Sequence, residues 1–325
     1  MDTGVIGWGF YVPDEVRTNK DLEKIVDTSD EWITTRTGIK ERRIAPPEMA
    51  VSDMGVKAAK KALKKAGLTP FDIDLIIVAT ITPDMFFPST ACFVQAKLKA
   101  RNIACFDVSA ACSGFIYALK VAKGLIESGS YRNALVIGAE KLTAITDWQD
   151  RNTCVLFGDG AGAVVLGPVK KGGIKSVYLG ADGSKSELLN MPGGGSRNPA
   201  THETVNQGMH YVKMKGNELF KFAVRLMAES AYKALRKAGL DKTDIKYLIP
   251  HQANSRIIWA TARKLDLEKK QIFVNIHKYG NMSSASCAVA LCESLSSKGV
   301  KKGDNLLLVA FGGGLTWGAS VIEVS

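Results

Sequence analysis

Cys112 is the residue of this chain best placed to act as a nucleophile. It follows an apolar stretch at residues 103–108 that predicts a strand, and it precedes a helical pattern from Phe115 to Ile126. Unpaired backbone N–H groups and the helix dipole favour an anion at the start of a helix. We therefore expect the pKa of Cys112 to lie below the ~8.5 of a free thiol, which would increase the reactive thiolate fraction. The alternative is an inert cysteine in the core, where free cysteines are often found.

Three further segments place polar side chains or glycines after predicted strands. His251 lies in the run 250–254, and its imidazole is a candidate base or hydrogen-bond donor, or a structural histidine. Asn281 lies in the run 279–286, which we expect to follow a strand at 272–276 and to open a helix, although Asn is also common at ordinary helix starts. Gly312–Gly314 follow another strand and would expose backbone N–H groups, unless they only form a tight turn.

The run Gly158-Asp159-Gly160-Ala161-Gly162-Ala163 matches the G-x-G-x-x-A pattern of dinucleotide-binding proteins. A strand-like segment follows it, whereas a nucleotide site needs a helix N-terminus to hold the pyrophosphate. We therefore expect a strand–turn–strand hairpin at this position rather than a nucleotide site.

Composition narrows the classes of function. A chain of 325 residues with 46% hydrophobic residues is long enough for two domains of ~150 residues each. The six cysteines form no C-x-x-C pair and no zinc-type cluster, and there is no basic signal-peptide start and no apolar run long enough to span a bilayer. We therefore expect a cytoplasmic protein with no metal and no membrane partner. The net charge of +11 favours an acidic protein or phosphorylated ligand, because no nucleic-acid-binding motif accompanies it.

The chain repeats itself. Ala62–Leu68 is echoed by Ala234–Leu240 at an offset of 172 residues, and each copy reads as an amphipathic helix, a Gly-Leu stop and a buried strand. Alternating helices and short apolar strands predict α/β layers with largely parallel sheets. We expect two similar halves, residues 1–170 and 171–325, with a ligand crevice where their strand ends meet.

These motifs together resemble β-ketoacyl-acyl-carrier-protein synthase III, the initiating condensing enzyme of type II fatty acid synthesis. The resemblance covers nearly the whole chain and is carried by the runs 30–39, 106–115, 150–162, 250–254, 280–286 and 311–318. It implies a thiolase-like fold of two duplicated halves in an α-β-α-β-α arrangement. It also implies a decarboxylative condensation of an acyl-CoA primer, acetyl-CoA by default, with malonyl-carrier-protein, without a cofactor.

The resemblance assigns roles to residues of this chain. Cys112 would be the nucleophile, His251 and Asn281 would complete the triad, and the N–H groups of Cys112 and Gly313 would form the oxyanion hole. Elongating relatives carry a second histidine at the third position, for which His277 is the one rival here. Coenzyme A and its pantetheine would contact Trp32, Arg36, Arg151, Gly216 and Asn254. The acyl pocket would be lined by Phe87, Leu142, Val155, Leu156 and Phe311.

The resemblance also implies two protein partners. An acidic acyl carrier protein would dock on Lys221, Arg256, Arg263 and Lys264, of which the last three share one helix face by their spacing. A homodimer is implied because Phe87 matches a residue that a partner subunit inserts into the acyl pocket. Two alternatives stay open: a polyketide or hydroxymethylglutaryl-CoA synthase on the same fold, and a non-catalytic protein that binds coenzyme A or nucleic acid.

Overall fold

The computed structural model describes residues 2–325. The strands are β1 (Asp2–Tyr11), β2 (Glu15–Thr18), β3 (Glu41–Ile44), β4 (Leu75–Ala79), β5 (Ala104–Val108), β6 (Ala134–Lys141), β7 (Asp159–Val169), β8 (Gly173–Ala181), β9 (Leu189–Asn190), β10 (Lys213–Met214), β11 (Ile245–Pro250), β12 (Asn305–Gly312) and β13 (Thr316–Glu323). The α-helices are α1 (Asn19–Leu22), α2 (Asp30–Thr37), α3 (Val51–Ala66), α4 (Thr90–Leu98), α5 (Gly114–Glu127), α6 (Arg151–Cys154), α7 (His202–Asn206), α8 (Gly216–Ala238), α9 (Ser255–Lys264), α10 (Ile276–Tyr279) and α11 (Ser284–Ser296).

Two mixed sheets carry the repeat. The first has the strand order β1-β7-β6-β4-β5 and the second has the order β11-β12-β13-β8. β4 and β6 pair in parallel with Leu75 opposite Ala134, and β11 and β12 pair in parallel with Tyr247 opposite Leu306. Both residues of the second pair follow their counterparts by 172 positions, so the repeat seen in the sequence is also a repeat of strand register.

The two halves differ at one sheet edge. A strand at 272–276 was expected, but only Ile272 pairs, in a single parallel bridge with Leu248, and Ile276 already begins α10. Ile272 stands where β5 stands in the first sheet, next to the strand equivalent to β4. The expectation of a strand was therefore wrong, because the chain pairs with the sheet only at Ile272 and turns into the short helix α10 four residues later.

Helices form three layers around the two sheets. α3 and α4 cover one face of the first sheet, α5 and α11 fill the space between the sheets, and α8 covers the outer face of the second sheet. Apolar side chains of α5 and α11 make the core between the sheets. The expected α-β-α-β-α fold is thereby confirmed, whereas the division at residues 170 and 171 stays a prediction.

Glycine ends the equivalent helices α3 and α8. Gly67 has φ 68° and Gly239 has φ 69°, and each donates its backbone N–H to carbonyls of the preceding turn. This left-handed conformation suits glycine, which has no Cβ. The Gly-Leu stops read from the sequence are therefore real helix ends in both halves.

The glycine-rich run at 158–163 is not the expected hairpin. Residues 159–169 form the single strand β7, which pairs with β1 on one side and β6 on the other. A Cβ on Gly162 would lie 2.5 Å from the backbone of Ala288 in α11, and a Cβ on Gly160 would lie 2.7 Å from Met282. Gly162 is required because α11 packs directly on the strand, whereas Gly160 faces the flexible side chain of Met282, just before α11. Among the described residues, no helix is long and apolar enough to cross a bilayer.

Candidate active site

A cavity of about 550 Å³ opens between the two halves. Its wall contains the three residues that sequence analysis selected as a triad: Cys112 from the first half, and His251 and Asn281 from the second. The remaining lining residues come from α2, α6, α8, α9, strand ends and adjoining loops: Trp32, Arg36, Thr37, Asn152, Val155, Leu156, Leu189, Met214, Gly216, Asn217, Leu219, Phe220, Lys221, Ala223, Ala253, Asn254, Arg256, Ile257, Phe311 and Gly312.

Cys112 sits in a one-turn 3₁₀ helix, Ala111–Ser113, immediately before α5. Ala111 adopts φ 45°, a left-handed conformation that is unusual for alanine and shapes the turn. The cysteine is 8% exposed, and burial raises the pKa of its thiol to about 12. The expected lowering by the helix start was therefore wrong: loss of solvation outweighs it, and Cys112 rests as a neutral thiol.

His251 follows β11, where its backbone N–H donates to the carbonyl of Val309 at 2.7 Å. Its side chain is buried, and within residues 2–325 neither ring nitrogen has a hydrogen-bond partner. Burial lowers the pKa of His251 to about 3. The imidazole is therefore neutral at physiological pH, with one N–H donor and one acceptor nitrogen and no protein partner for either.

The carboxamide of Asn281 has a defined orientation. Its Oδ1 accepts a hydrogen bond from the backbone N–H of Ser283 at 2.9 Å, and its own backbone N–H donates to Leu156 at 2.8 Å. Since the oxygen is occupied by the turn, the NH₂ group is the part left for the cavity. Asn281 therefore offers the cavity a neutral hydrogen-bond donor.

Glycines at the end of β12 lie against the cysteine turn. A Cβ on Gly312 would lie 2.6 Å from the backbone nitrogen of Cys112 and 2.9 Å from its Cβ. Gly312 lines the cavity, whereas Gly313 does not; a Cβ on Gly313 would lie 3.7 Å from Ala111. Gly312 thus packs directly on Cys112, and Gly313, the predicted oxyanion residue, follows it beside Ala111 of the same turn.

Aromatic and basic side chains surround the mouth of the cavity. The guanidinium carbons of Arg36 and Arg151 lie 5.1 Å and 4.9 Å from the ring centre of Trp32, within cation–π range. Arg151 also donates to the backbone carbonyl of Asp27 at 2.8 Å. Gly216 and Asn254 line the same cavity, and the side-chain oxygen of Asn254 caps α9.

Several predicted site residues lie away from the cavity wall. Phe87 is 83% exposed, and Leu142 is buried in the core cluster that also contains Val155, Leu156 and Phe311. Lys221 and Arg256 line the cavity, but Arg263 and Lys264 occupy the last turn of α9 outside it. His277, the rival for the third position, is also outside the lining.

Glu140 is a residue beside the site that sequence reasoning missed. It is fully buried at the end of β6, and a charge on it would raise the pKa of Cys112. A carboxyl group at the end of the otherwise apolar run 134–139 is the signal that could have identified it. Charged side chains are rarely fully buried without a specific partner or function.

Comparison with known proteins agrees with this geometry. Family models for 3-oxoacyl-[acyl-carrier-protein (ACP)] synthase III and its C-terminal region match residues 106–183 and 235–324. A protein of Caldanaerobacter subterraneus subsp. tengcongensis named beta-ketoacyl-[acyl-carrier-protein] synthase III is 58% identical over 323 residues, covering 99% of this chain and 98% of that protein. The chain belongs to the β-ketoacyl-acyl-carrier-protein synthase III family. It is therefore a condensing acyltransferase of fatty acid synthesis, as the sequence motifs indicated.

Solved structures extend the comparison. The crystal structure of the synthase III from Aquifex aeolicus VF5 has a TM-score of 0.92 and 54% identity, covering 99% of each chain. The priming β-ketosynthase of the R1128 polyketide biosynthetic pathway has a TM-score of 0.93 and 37% identity, covering 99% of this chain and 96% of that one. The synthase III fold is thus shared with a polyketide-priming enzyme.

Proposed function

We propose that this synthase transfers a short acyl group, acetyl by default, from coenzyme A to Cys112 and then condenses it with malonyl-acyl-carrier-protein. The observation that carries the proposal is the single cavity onto which Cys112, His251 and Asn281 all open. Each residue supplies a different group: a thiol, a neutral imidazole and a carboxamide donor. The two substrates are thioesters, and the chemistry proposed here requires no cofactor.

The first half-reaction is acylation. The sulfur of Cys112 forms a bond to the thioester carbonyl carbon, the bond from that carbon to the sulfur of coenzyme A breaks, and the thiol proton ends on the departing sulfur. With a thiol pKa of about 12 beside an imidazole pKa of about 3, a resting thiolate–imidazolium pair is disfavoured. The proton therefore leaves as the carbon–sulfur bond forms. We assign the N–H groups of Cys112 and Gly313 to the oxyanion, where each donor is worth ~3 kcal/mol.

The second half-reaction is decarboxylation and condensation. Malonyl-carrier-protein loses CO₂, and the electron pair of the broken bond forms an enolate whose charge lies on the thioester oxygen. His251 and Asn281 would donate N–H groups to that oxygen. The enolate carbon then bonds to the acyl carbon, the bond from that carbon to the sulfur of Cys112 breaks, and the departing thiolate takes up a proton from solvent to restore the neutral thiol. Two neutral donors suit this role because each already carries an N–H for the enolate oxygen, and neither changes its protonation state in the step.

Substrate binding is assigned to the mouth of the cavity. We assign Trp32, Arg36 and Arg151 to the nucleotide of coenzyme A, and Gly216 and Asn254 to the pantetheine. A base held between Trp32 and Arg151 needs about 7 Å, two van der Waals contacts. Since the two side chains stack at 4.9 Å, Arg151 has to move when the nucleotide enters.

Docking of the carrier protein is assigned to a basic surface beside the same mouth: Lys221, Arg256, Arg263 and Lys264. Lys221 and Arg256 line the cavity itself, where they would meet a phosphopantetheine arm. The net charge of +11 supports an acidic partner, because complementary charge would accelerate its approach.

We also propose a cytoplasmic homodimer, in which Phe87 projects toward a second copy. The six free cysteines are consistent with a reducing compartment.

The test separates the two half-reactions. Labelled acetyl-CoA alone should acylate the wild type but not Cys112→Ala, which should still decarboxylate malonyl-carrier-protein. Asn281→Ala should acylate normally and lose decarboxylation. Cys92→Ala is the matched control, since Cys92 is an exposed cysteine and should affect neither step. Labelling that persists in Cys112→Ala would exclude the proposed nucleophile.

A polyketide-priming role is the second candidate, because the R1128 priming enzyme shares the fold at 37% identity. The same Cys112 chemistry would then use a different primer. A panel of straight and branched acyl-CoA primers, each with malonyl-carrier-protein, discriminates between the two by the ratio of kcat/KM values. A preference for acetyl-CoA supports fatty acid initiation.

A further inference from the structure

Glu140 is surrounded by hydrogen-bond donors at the junction of the two halves. Its Oε2 lies 3.1 Å from Thr80 Oγ1, 3.1 Å from the backbone nitrogen of Ile81 and 2.6 Å from Thr82 Oγ1. Its Oε1 lies 2.9 Å from Ser284 Oγ at the first residue of α11. The carboxyl group therefore joins the loop after β4, in the first half, to the helix that follows the Asn281 turn.

Counting hydrogens places a proton on this carboxyl group. Ser284 Oγ also lies 2.7 Å from the carbonyl oxygen of Ala79, which can only accept. The single hydroxyl proton of Ser284 cannot serve both oxygens, and two lone pairs at these distances would repel each other. The hydroxyl therefore donates to Ala79, and Oε1 of Glu140 donates to Ser284.

The threonines are consistent with this assignment. Thr80 Oγ1 accepts the N–H of Thr82, and Thr82 Oγ1 accepts the N–H of Lys141. Each hydroxyl then has its own proton left to donate to Oε2, which accepts from both threonines and from Ile81. Every hydrogen donated by Thr80, Ile81, Thr82 and Ser284 thus has one acceptor, while the buried hydroxyl of Ser283, beside Glu140, has no hydrogen-bond partner among the described residues. Burial also raises the pKa of Glu140, which favours the acid form.

We propose that Glu140 is a positioning residue that acts as a neutral acid, holding Ser284 and hence the Asn281 turn in register with the end of β4. This inference rests on the proposed role of Asn281 in decarboxylation. It adds the reason why a carboxamide from the second half stays aligned with Cys112 in the first. A neutral acid performs this task without placing a negative charge beside the thiol or the enolate.

The backbone at Ser284 is packed tightly on β6 and is tied to the Asn281 turn. A Cβ on Gly138 of β6 would lie 2.8 Å from the carbonyl oxygen of Ser284, so the start of α11 lies directly on the strand. The turn before it is closed by the bond from Ser283 N–H to Asn281 and by one from Met282 N–H to Ser286 Oγ. A shift of Ser284 would therefore move Asn281 with it.

The test compares the two half-reactions in four variants. Glu140→Ala and Ser284→Ala should reduce decarboxylation of malonyl-carrier-protein by about tenfold to hundredfold, the typical cost of a misplaced group, while acylation of Cys112 changes by less than about threefold. Glu140→Gln should retain both half-reactions, because a carboxamide supplies the same acceptor and one donor to Ser284. Ser294→Ala removes another buried serine of α11, whose hydroxyl bonds only Leu291, and should change neither step.

A direct measurement tests the proton itself. The infrared difference between wild type and Glu140→Gln at pH 8 should show the C=O stretch of a protonated carboxylic acid. Its absence, or a loss of decarboxylation in Glu140→Gln equal to that in Glu140→Ala, would overturn the proposal. The proposal would also be overturned if Glu140→Ala and Ser284→Ala each lost acylation as severely as decarboxylation. If Asn281→Ala decarboxylates malonyl-carrier-protein normally, the proposed role of Asn281 fails instead. If Asn281→Ala loses decarboxylation but Ser284→Ala and Glu140→Ala retain it, only the inference about Glu140 fails.

Discussion

Cys112 and His251 are both neutral in the resting protein because the same buried cavity surrounds them. Burial penalises the charged form of each, so it raises the pKa of the thiol and lowers the pKa of the imidazole. A neutral pair resists alkylation and oxidation, since the thiolate is the reactive species. In the proposed acylation, the proton therefore leaves the sulfur of Cys112 only as the new carbon–sulfur bond forms.

Alkylation of Cys112 by iodoacetamide should show this directly. With a pKa of about 12, the thiolate fraction rises about tenfold per pH unit through the range in which a free thiol of pKa ~8.5 would level off. We expect the rate, followed by mass spectrometry of the Cys112 peptide in a Cys92→Ser background, to increase steadily from pH 7 to pH 10. A plateau below pH 9 would instead indicate a thiolate stabilised by the helix start.

At this scale the sequence predicted which residues meet but not their electrostatic state. The runs containing Cys112, His251 and Asn281 follow strand ends, and strand ends of duplicated halves converge, so a shared cavity was foreseeable. The depth of that cavity was not, because burial depends on packing contributed by distant segments. Glu140 was missed for the same reason: its partners Thr80, Thr82 and Ser284 become neighbours only in the folded chain.

Glycines decide how closely the elements of this fold approach one another. β7 needs Gly162 under α11, and β12 needs Gly312 against the cysteine turn. The sequence marked these positions as turns because glycine is common in turns. Here the glycines are required for close contact inside or at the end of strands, which local pattern alone does not distinguish.

Gly312→Ala should disable acylation without unfolding the protein. The new methyl group would lie 2.6 Å from the nitrogen of Cys112, which forces the nucleophile turn and its N–H away from the carbonyl they must meet. We expect the rate of acetyl transfer to Cys112 to fall about hundredfold, the cost of a displacement near 1 Å. Rapid-quench labelling measures it.

The matched control is Gly183→Ala, where a Cβ would meet no atom within 4 Å. This variant should acylate at the wild-type rate. Acylation of Gly312→Ala at the wild-type rate would show that the Cys112 turn accommodates the added methyl group without losing its geometry. The proposed oxyanion geometry at the end of β12 would then be wrong.

At the scale of the whole molecule, the duplication is the feature that the sequence predicted best. A constant offset of 172 residues appears again as matching strand register in the two sheets. The proposed triad draws on both of the expected halves, so the proposed reaction requires them to stay aligned, and the Glu140–Ser284 link crosses between them. Local sequence pattern predicts the halves separately, whereas their mutual alignment depends on contacts far apart in the chain.

The surface of the single chain leaves an apolar group uncovered. Phe86 is 80% exposed, Phe87 is 83% exposed, and Met85 beside them is 49% exposed. Such clusters mark interaction sites in soluble proteins. We expect a second copy to cover them, since the proposed dimer places Phe87 against the partner's acyl pocket.

Phe86→Ser with Phe87→Ser should shift the protein from dimer to monomer in sedimentation velocity and lower kcat for short primers. Burying one aromatic side chain contributes about 1.5–3 kcal/mol, and the double variant removes four of them from the dimer, so the dissociation constant should rise about 10⁴-fold or more. Phe71→Ser is the matched control, because Phe71 is a comparably exposed phenylalanine at 64% on a different element. If Phe71→Ser weakens the dimer as much as the double variant, or if the double variant leaves the dimer intact, the partner surface lies elsewhere. If only the double variant weakens the dimer and lowers kcat for short primers, primer use depends on assembly.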